Sequence, residues 1–174
     1  MKKWLLFLII SGCRVSSFTT HVAPNTDFEN YHTYALVDYP NQVNITQPEY
    51  DNPQNRMLIV QSIKEELSEL GKIEQKDSSD FLVAYTLLIR DMVDTRIDSA
   101  VVYKPWVDTK QDTFNYTEGA FTLMLMDAKT RNIIAQSQME GIMNRNPQKV
   151  KTNIPRMIKL MFKRIENEAK ESNK

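Results

Sequence analysis

The chain has 174 residues, 41% hydrophobic and 25% charged, with 22 basic against 22 acidic side chains and a formal net charge of zero. That length favours one compact domain whose core needs no disulfide or metal to hold it. The charge balance lacks the basic footprint of a nucleic-acid binder, and four Gly, two His and one Cys leave no inventory for phosphate-cradling loops or multi-cysteine metal sites.

Lys2 and Lys3 precede the apolar run Trp4–Ile10, seven residues long. That suits the middle of a signal peptide and falls far short of the ~20 residues of a membrane span. Ser11, Gly12 and the sole cysteine, Cys13, follow. Ile10-Ser11-Gly12-Cys13 resembles the bacterial lipobox, with Ile10 where Leu is usual. The resemblance implies lipidation of the Cys13 thiol and cleavage that removes residues 1–12, leaving 13–174 as a single α+β lipoprotein domain. An ordinary secretory signal would instead leave a free thiol, a liability in an exported protein. Two or three acyl chains, at about 0.8 kcal/mol per buried methylene, would hold the protein on a membrane permanently. Arg14 rather than Asp follows the cysteine, which by the best-known sorting rule implies the outer membrane; no acidic cluster follows to signal surface export, so the periplasmic face is expected. Cleavage removes two of the 22 basic residues and none of the 22 acidic ones, for a net of −2. That slight acidity argues against a second, electrostatic attachment to anionic lipid.

Further along, Ser17–Val22 and Thr33–Asp38 are β-branched and aromatic with partial alternation, as strands are. Pro40–Pro53, rich in Pro, Asn and Gln, reads as a long surface loop. It ends at a helix start, with Asn52 as N-cap and Pro53 in the first helical position, where its missing N–H is not needed. Met57, Val60, Ile63, Leu67 and Leu70 recur at helical spacing as one apolar stripe. Gly71 suits the left-handed position past the end, so a helix is predicted over 53–70. Phe81–Ile89 is apolar on both faces, as in a central strand. Phe114–Met126 and Ile133–Met143 flank the polar hexad Asp127–Asn132 and read as an antiparallel hairpin, with Thr122, Met124 and Met126 facing opposite to Phe121, Leu123 and Leu125. Ile154, Ile158, Met161 and Ile165 mark an amphipathic helix over 154–169. Pro155 is expected in its first turn, because deeper it would cost about 3 kcal/mol. The order β-β-α-β-β-β-α predicts an α+β fold, a mostly antiparallel sheet with two helices packed on one face.

Three stretches in this order carry a second resemblance: Asp27-Phe-Glu-Asn-Tyr-His-Thr-Tyr-Ala35, Ser79-Asp-Phe-Leu-Val-Ala-Tyr85 and Tyr116-Thr-Glu-Gly-Ala-Phe-Thr-Leu-Met-Leu-Met-Asp-Ala128. Together with the lipobox they resemble the bacterial lipoproteins grouped as domain of unknown function 4136. Gly119 and Gly141 match that pattern; Gln136 stands where a Trp is usual and Asn132 where a Gly is usual. The resemblance covers nearly all of residues 13–170 and implies an envelope lipoprotein with no assigned activity.

The chemistry-bearing residues are sparse. A zinc site needs about four ligands, and His21 and His32 are the only histidines while Cys13 is committed to lipid. Asp91, Asp94 and Asp98 form a loose acidic cluster, read as a solvated segment, with a weak cation site as the alternative. No Gly-x-Ser-x-Gly elbow is present. No cofactor, metal or nucleic acid is therefore expected. The methionines stand out at nine. Met124 and Met126 share one strand face, and Met157 and Met161 sit four apart on the last helix. Being soft and adaptable, they suit a core or the lining of an apolar ligand site between sheet and helix. Tyr103-Lys-Pro-Trp106 is the candidate partner contact, since exposed aromatics are enriched at interfaces. The expected function is non-enzymatic binding of an envelope protein or lipid partner from a membrane anchor at Cys13; the alternative is an envelope hydrolase with no recognisable motif.

Overall fold

The computed structural model describes residues 16–37, 47–96, 112–143 and 146–172. Its elements are β1 (Ser16–Val22), a 3-10 turn (Phe28–Asn30), β2 (Thr33–Leu36), α1 (Pro53–Glu69), β3 (Ile73–Glu74), β4 (Phe81–Arg96), β5 (Asp112–Asp127), β6 (Ile133–Ile142) and α2 (Pro147–Ser172). The six strands form one sheet in the order β1-β6-β5-β4-β2-β3. The β1–β6, β6–β5 and β5–β4 pairings are antiparallel. β2 runs parallel to both β4 and β3, a reversal that a long crossover such as α1 makes possible. The chain is thus an α+β fold with a mostly antiparallel sheet.

Period-two alternation decides which side chains meet the helices. Val83 pairs with Leu125, and Leu125 with Ala135. These residues, with Phe81 and Leu123, pack against Ile59, Ile63 and Leu67 of α1 and Ile158, Met161, Phe162 and Ile165 of α2. Each such side chain contributes roughly 1.5–3 kcal/mol by leaving water. Tyr85 and Phe121 extend this face as a stacked pair, 5.6 Å between centroids. The β5–β6 register steps from Leu125–Ala135 to Met126–Ile133, a bulge whose extra residue, Ile134, joins the core.

α1 starts and stops as its sequence dictates. The Asn52 side chain accepts the Asn55 N–H at 2.9 Å, Pro53 opens the helix, and Gly71 takes φ +71°. The Gly71 and Lys72 N–H groups then close back onto Ser68 and Leu67, a Schellman ending. The buried stripe keeps Ile63 and Leu67 of the predicted one and departs from it elsewhere. Ile59, Ile63 and Leu67 face inward with Asn55 and Ser62, while Met57 is 71% and Leu70 37% exposed. The Asn55 amide donates to the Tyr50 carbonyl at 2.6 Å, whereas the buried Ser62 hydroxyl has no hydrogen-bond partner among the described residues.

α2 also corrects the prediction. It begins at Pro147, two turns earlier than 154, so Pro155 lies inside the helix and not in its first turn. The start repeats the logic of α1: Asn146 accepts the Gln148 N–H at 3.0 Å and Pro147 follows. Buried Ile154 and Ile158 hold the two turns around Pro155 against the rest of the molecule, outweighing its missing N–H. No helix among the described residues is long and apolar enough to cross a membrane.

Candidate functional site

The three stretches that carry the family pattern meet at one corner of the sheet. Asp80, just before β4, accepts the backbone N–H groups of His32 and Thr33 at 2.9 and 2.8 Å and the Thr33 hydroxyl at 2.9 Å. Those bonds, the Thr33 N–H foremost, hold its carboxyl below the usual range. Asp127, at the end of β5, caps its own turn by accepting from the Thr130 N–H, 2.6 Å, and hydroxyl, 2.9 Å. Its other oxygen accepts the Tyr31 hydroxyl at 3.1 Å. The Thr130 bonds lead in keeping this carboxyl low as well, while burial and the Asp127 partnership push the Tyr31 phenol up. The Tyr31 ring sits edge-on to Phe81 at 5.9 Å, and Phe28 and Tyr34 complete the aromatic group. Asp80 and one oxygen of Asp127 hold backbone N–H groups, and the hydroxyls of Tyr31, Thr33 and Thr130 add side-chain bonds to the same two carboxylates. The corner is a clasp between the β2 start, the β4 start and the β5–β6 turn.

Beside the clasp lies a cleft of about 310 Å³ between the sheet and the C-terminal ends of α1 and α2. Phe28, Leu67, Leu70, Phe81, Leu125, Phe162, Ile165 and Ala169 form its walls, and Asp27, Glu29, Lys72, Glu166 and Lys170 its rim. The Lys72 ammonium is fixed by donating to the Phe28 carbonyl at 2.8 Å. Such a volume stands near the lower end for ligand pockets. A larger, more polar cleft, about 670 Å³, opens at the opposite end of β4 and β5, lined by Tyr50, Asp91, Asp94, Tyr116, Thr117 and Met143 among others. There Asp91 accepts from the Thr117 hydroxyl at 2.9 Å and from the Gln47 amide. Gly119 gives Met143 its place, since a Cβ there would stand 2.5 Å from the Met143 sulfur.

The four methionines expected to line one site do not meet. Met161 is fully buried and Met157 packs against the core. Met124 and Met126 pair with Ala84 and Leu82 on the face turned away from the helices, because Leu123 and Leu125 take the inward positions of the alternation. The apolar cleft between sheet and α2 exists, but Phe, Leu and Ile line it. Phe162 and Ala169 were legible as part of the stripe through Ile158 and Ile165, four and eleven residues along from Ile158; Phe28 was not, because only the fold carries it there. Cys13, Tyr103, Trp106 and Asp98 lie outside the described residues. His21 and His32 are exposed and far apart in the sheet. Among the described residues, no three His, Cys, Asp or Glu side chains are placed to hold a metal ion.

Residues 18–165 match the family model described as Domain of unknown function (DUF4136), and the chain belongs to that family. No curated protein matches it by sequence. Among solved structures it is similar to a PDZ domain protein from Parabacteroides distasonis ATCC 8503, with a TM-score of 0.52 and 15% identity over 83% of this chain. The alignment covers 34% of that protein, so the chain spans about a third of its length, and the likeness concerns the fold alone. Two crystal forms of the PelC dodecamer from Paraburkholderia phytofirmans align at a TM-score of 0.42, with 5% and 4% identity, over 83% of this chain and 95% of theirs.

Proposed function

Within a family that carries no assigned activity, we propose that this chain is a lipid-anchored envelope protein that binds, without catalysing, and holds an acyl-type apolar ligand in the cleft beside the clasp. The observation that supports the ligand is the cleft itself, eight apolar side chains around about 310 Å³ with a rim of mixed charge. The walls would shelter a hydrocarbon chain. The anchor rests on Ile10-Ser11-Gly12-Cys13, and its outer-membrane, periplasm-facing placement on Arg14. Tyr103 and Trp106 are the candidate contact to an envelope protein, which a photoreactive residue at Trp106 would capture in cells.

Two measurements test this. Palmitate should label the wild type and not Cys13→Ser; an unlabelled wild type removes the anchor. Organic extracts of the purified chain should yield acyl species by mass spectrometry, depleted in Ala169→Trp, which fills the cleft from its wall. Extracts equally empty for both proteins would remove the ligand.

A second reading, a hydrolase, has the larger cleft in its favour, with Asp91, Asp94 and Tyr116 in its lining. The Asp91 carboxylate is already engaged by Thr117 and Gln47, which weighs against a general base. Ester turnover by the wild type, lost in Asp91→Asn, would favour it over binding.

A further inference from the structure

The overall neutrality of the chain conceals a segregation of charge along α2. From Pro147 to Arg164 the helix carries six cations and no acidic residue, whereas Glu166, Glu168 and Glu171 crowd its last turns. Three of the cations are occupied. Lys159 pairs with Glu69 and Glu66 at 3.2 and 3.8 Å, Lys151 donates to Gln54 at 3.1 Å, and Arg164 lies over the Phe18 ring at 4.5 Å. The other three, Lys149, Arg156 and Lys163, recur every seven residues and therefore share one stripe. They point away from the buried stripe of Ile154, Ile158 and Ile165, and all three are exposed. No ion pair joins them to a carboxylate among the described residues.

This stripe lies where the chain leaves for its anchor. α2 packs across β1 and β6, and Thr20 of β1 shares a groove with Leu160, Lys163, Arg164, Asn167, Glu168 and Glu171, a span centred near Ile165. Four residues of strand, about 13 Å, match about nine residues of helix, which sets Arg156 about level with Ser16. Ser16 is three residues from Cys13, within ~10 Å of extended chain. We infer that the outer stripe of α2, through Lys149, Arg156 and Lys163, is the face that lies on the membrane and takes the phosphate groups of anionic lipids. The acid-free part of the helix then lies along the bilayer nearest the anchor, and Glu166, Glu168 and Glu171 lie beyond it. The apolar face of α2 is buried in the core, so the contact would be electrostatic alone, at about 1 kcal/mol per cation near an anionic surface. The orientation rests on the proposed Cys13 anchor, but the charge stripe does not, and the test separates the two.

Full-length Cys13→Ser protein, which carries no acyl chain, is floated with vesicles of phosphatidylglycerol and phosphatidylcholine and with phosphatidylcholine alone. Residues 1–12 are common to every variant, so the difference between the two vesicle types reads the stripe. The anionic preference should fall with salt. It should also fall about fivefold per charge, about a hundredfold in all, when Lys149, Arg156 and Lys163 become Gln. A control with the same change of net charge, Lys76, Lys129 and Arg131 to Gln at the opposite end of the sheet, should keep it. All six side chains are exposed, and circular dichroism checks that each variant folds. Equal losses in the two triple variants, or no anionic preference in the parent, would overturn the inference. Palmitate labelling reads the anchor independently, so its failure would leave this result standing.

Discussion

Asp80 gathers three donors from two consecutive residues of a distant strand, and removing its carboxylate leaves their N–H groups without that acceptor. Asp80→Asn, which places an amide among donors, should therefore cost about 1–3 kcal/mol in urea unfolding. Tyr31→Phe, which deletes the hydroxyl bound to Asp127, should cost about 1 kcal/mol. The two carboxyls also set a pH dependence. Both are depressed in the folded chain by hydrogen bonds, so their stabilisation is fully present above the unfolded value of about 3.9 and is lost as pH falls through the lower folded values. Acid unfolding of Asp80→Asn should be shallower below about pH 4 than that of the wild type; an identical acid limb would show that Asp80 is not a source of the effect. The motif stretches were readable as residues, yet their meeting was not. The bonds that join them cross sequence separations of 47 to 96 residues, which no local pattern encodes.

The helices show where periodicity misleads. Several apolar residues of α1 fit more than one stripe, and spacing alone selected Met57 and Leu70 when the fold buries Ile59 beside Ile63 and Leu67. Ile63→Ala should cost about 2–5 kcal/mol, against a change within about 0.5 kcal/mol for Met57→Ala; similar costs for both would contradict the observed rotation of the helix. The start of α2 was legible in principle, because Asn146-Pro147 repeats the Asn52-Pro53 signal, but Pro155 masked it by resembling a first-turn proline. Its place inside the helix leaves the Lys151 carbonyl without the usual i+4 donor. Pro155→Ala should accordingly raise stability by about 1–3 kcal/mol in the same unfolding assay, and a decrease would show that the proline ring is needed for packing. The hairpin, by contrast, followed directly from alternation on both sides of a polar turn, with Arg131 supplying the left-handed residue at φ +63°.

Across the molecule, the two clefts lie at opposite ends of one sheet, the apolar one at the clasp and the polar one beyond the Gly119–Gly141 pair. The sequence pointed to an apolar site between sheet and α2 through its methionines, for a reason the fold does not support, since alternation sends Met124 and Met126 to the far face. The wall residues come from five separate segments, and each reads alone as ordinary core. Net charge also hides distribution: a near-neutral total says nothing of the sorting of cations and carboxylates to different ends of α2. The proposed binding role stands or falls on the apolar cleft, and the direct measurement is titration of a fluorescent fatty acid into full-length wild-type and Ala169→Trp proteins freed of co-purified lipid. The account predicts saturable one-to-one binding by the wild type and at least tenfold weaker binding by Ala169→Trp, with the two melting within a few degrees of each other. Equal affinity in both proteins, or no saturable binding by the wild type, would contradict it.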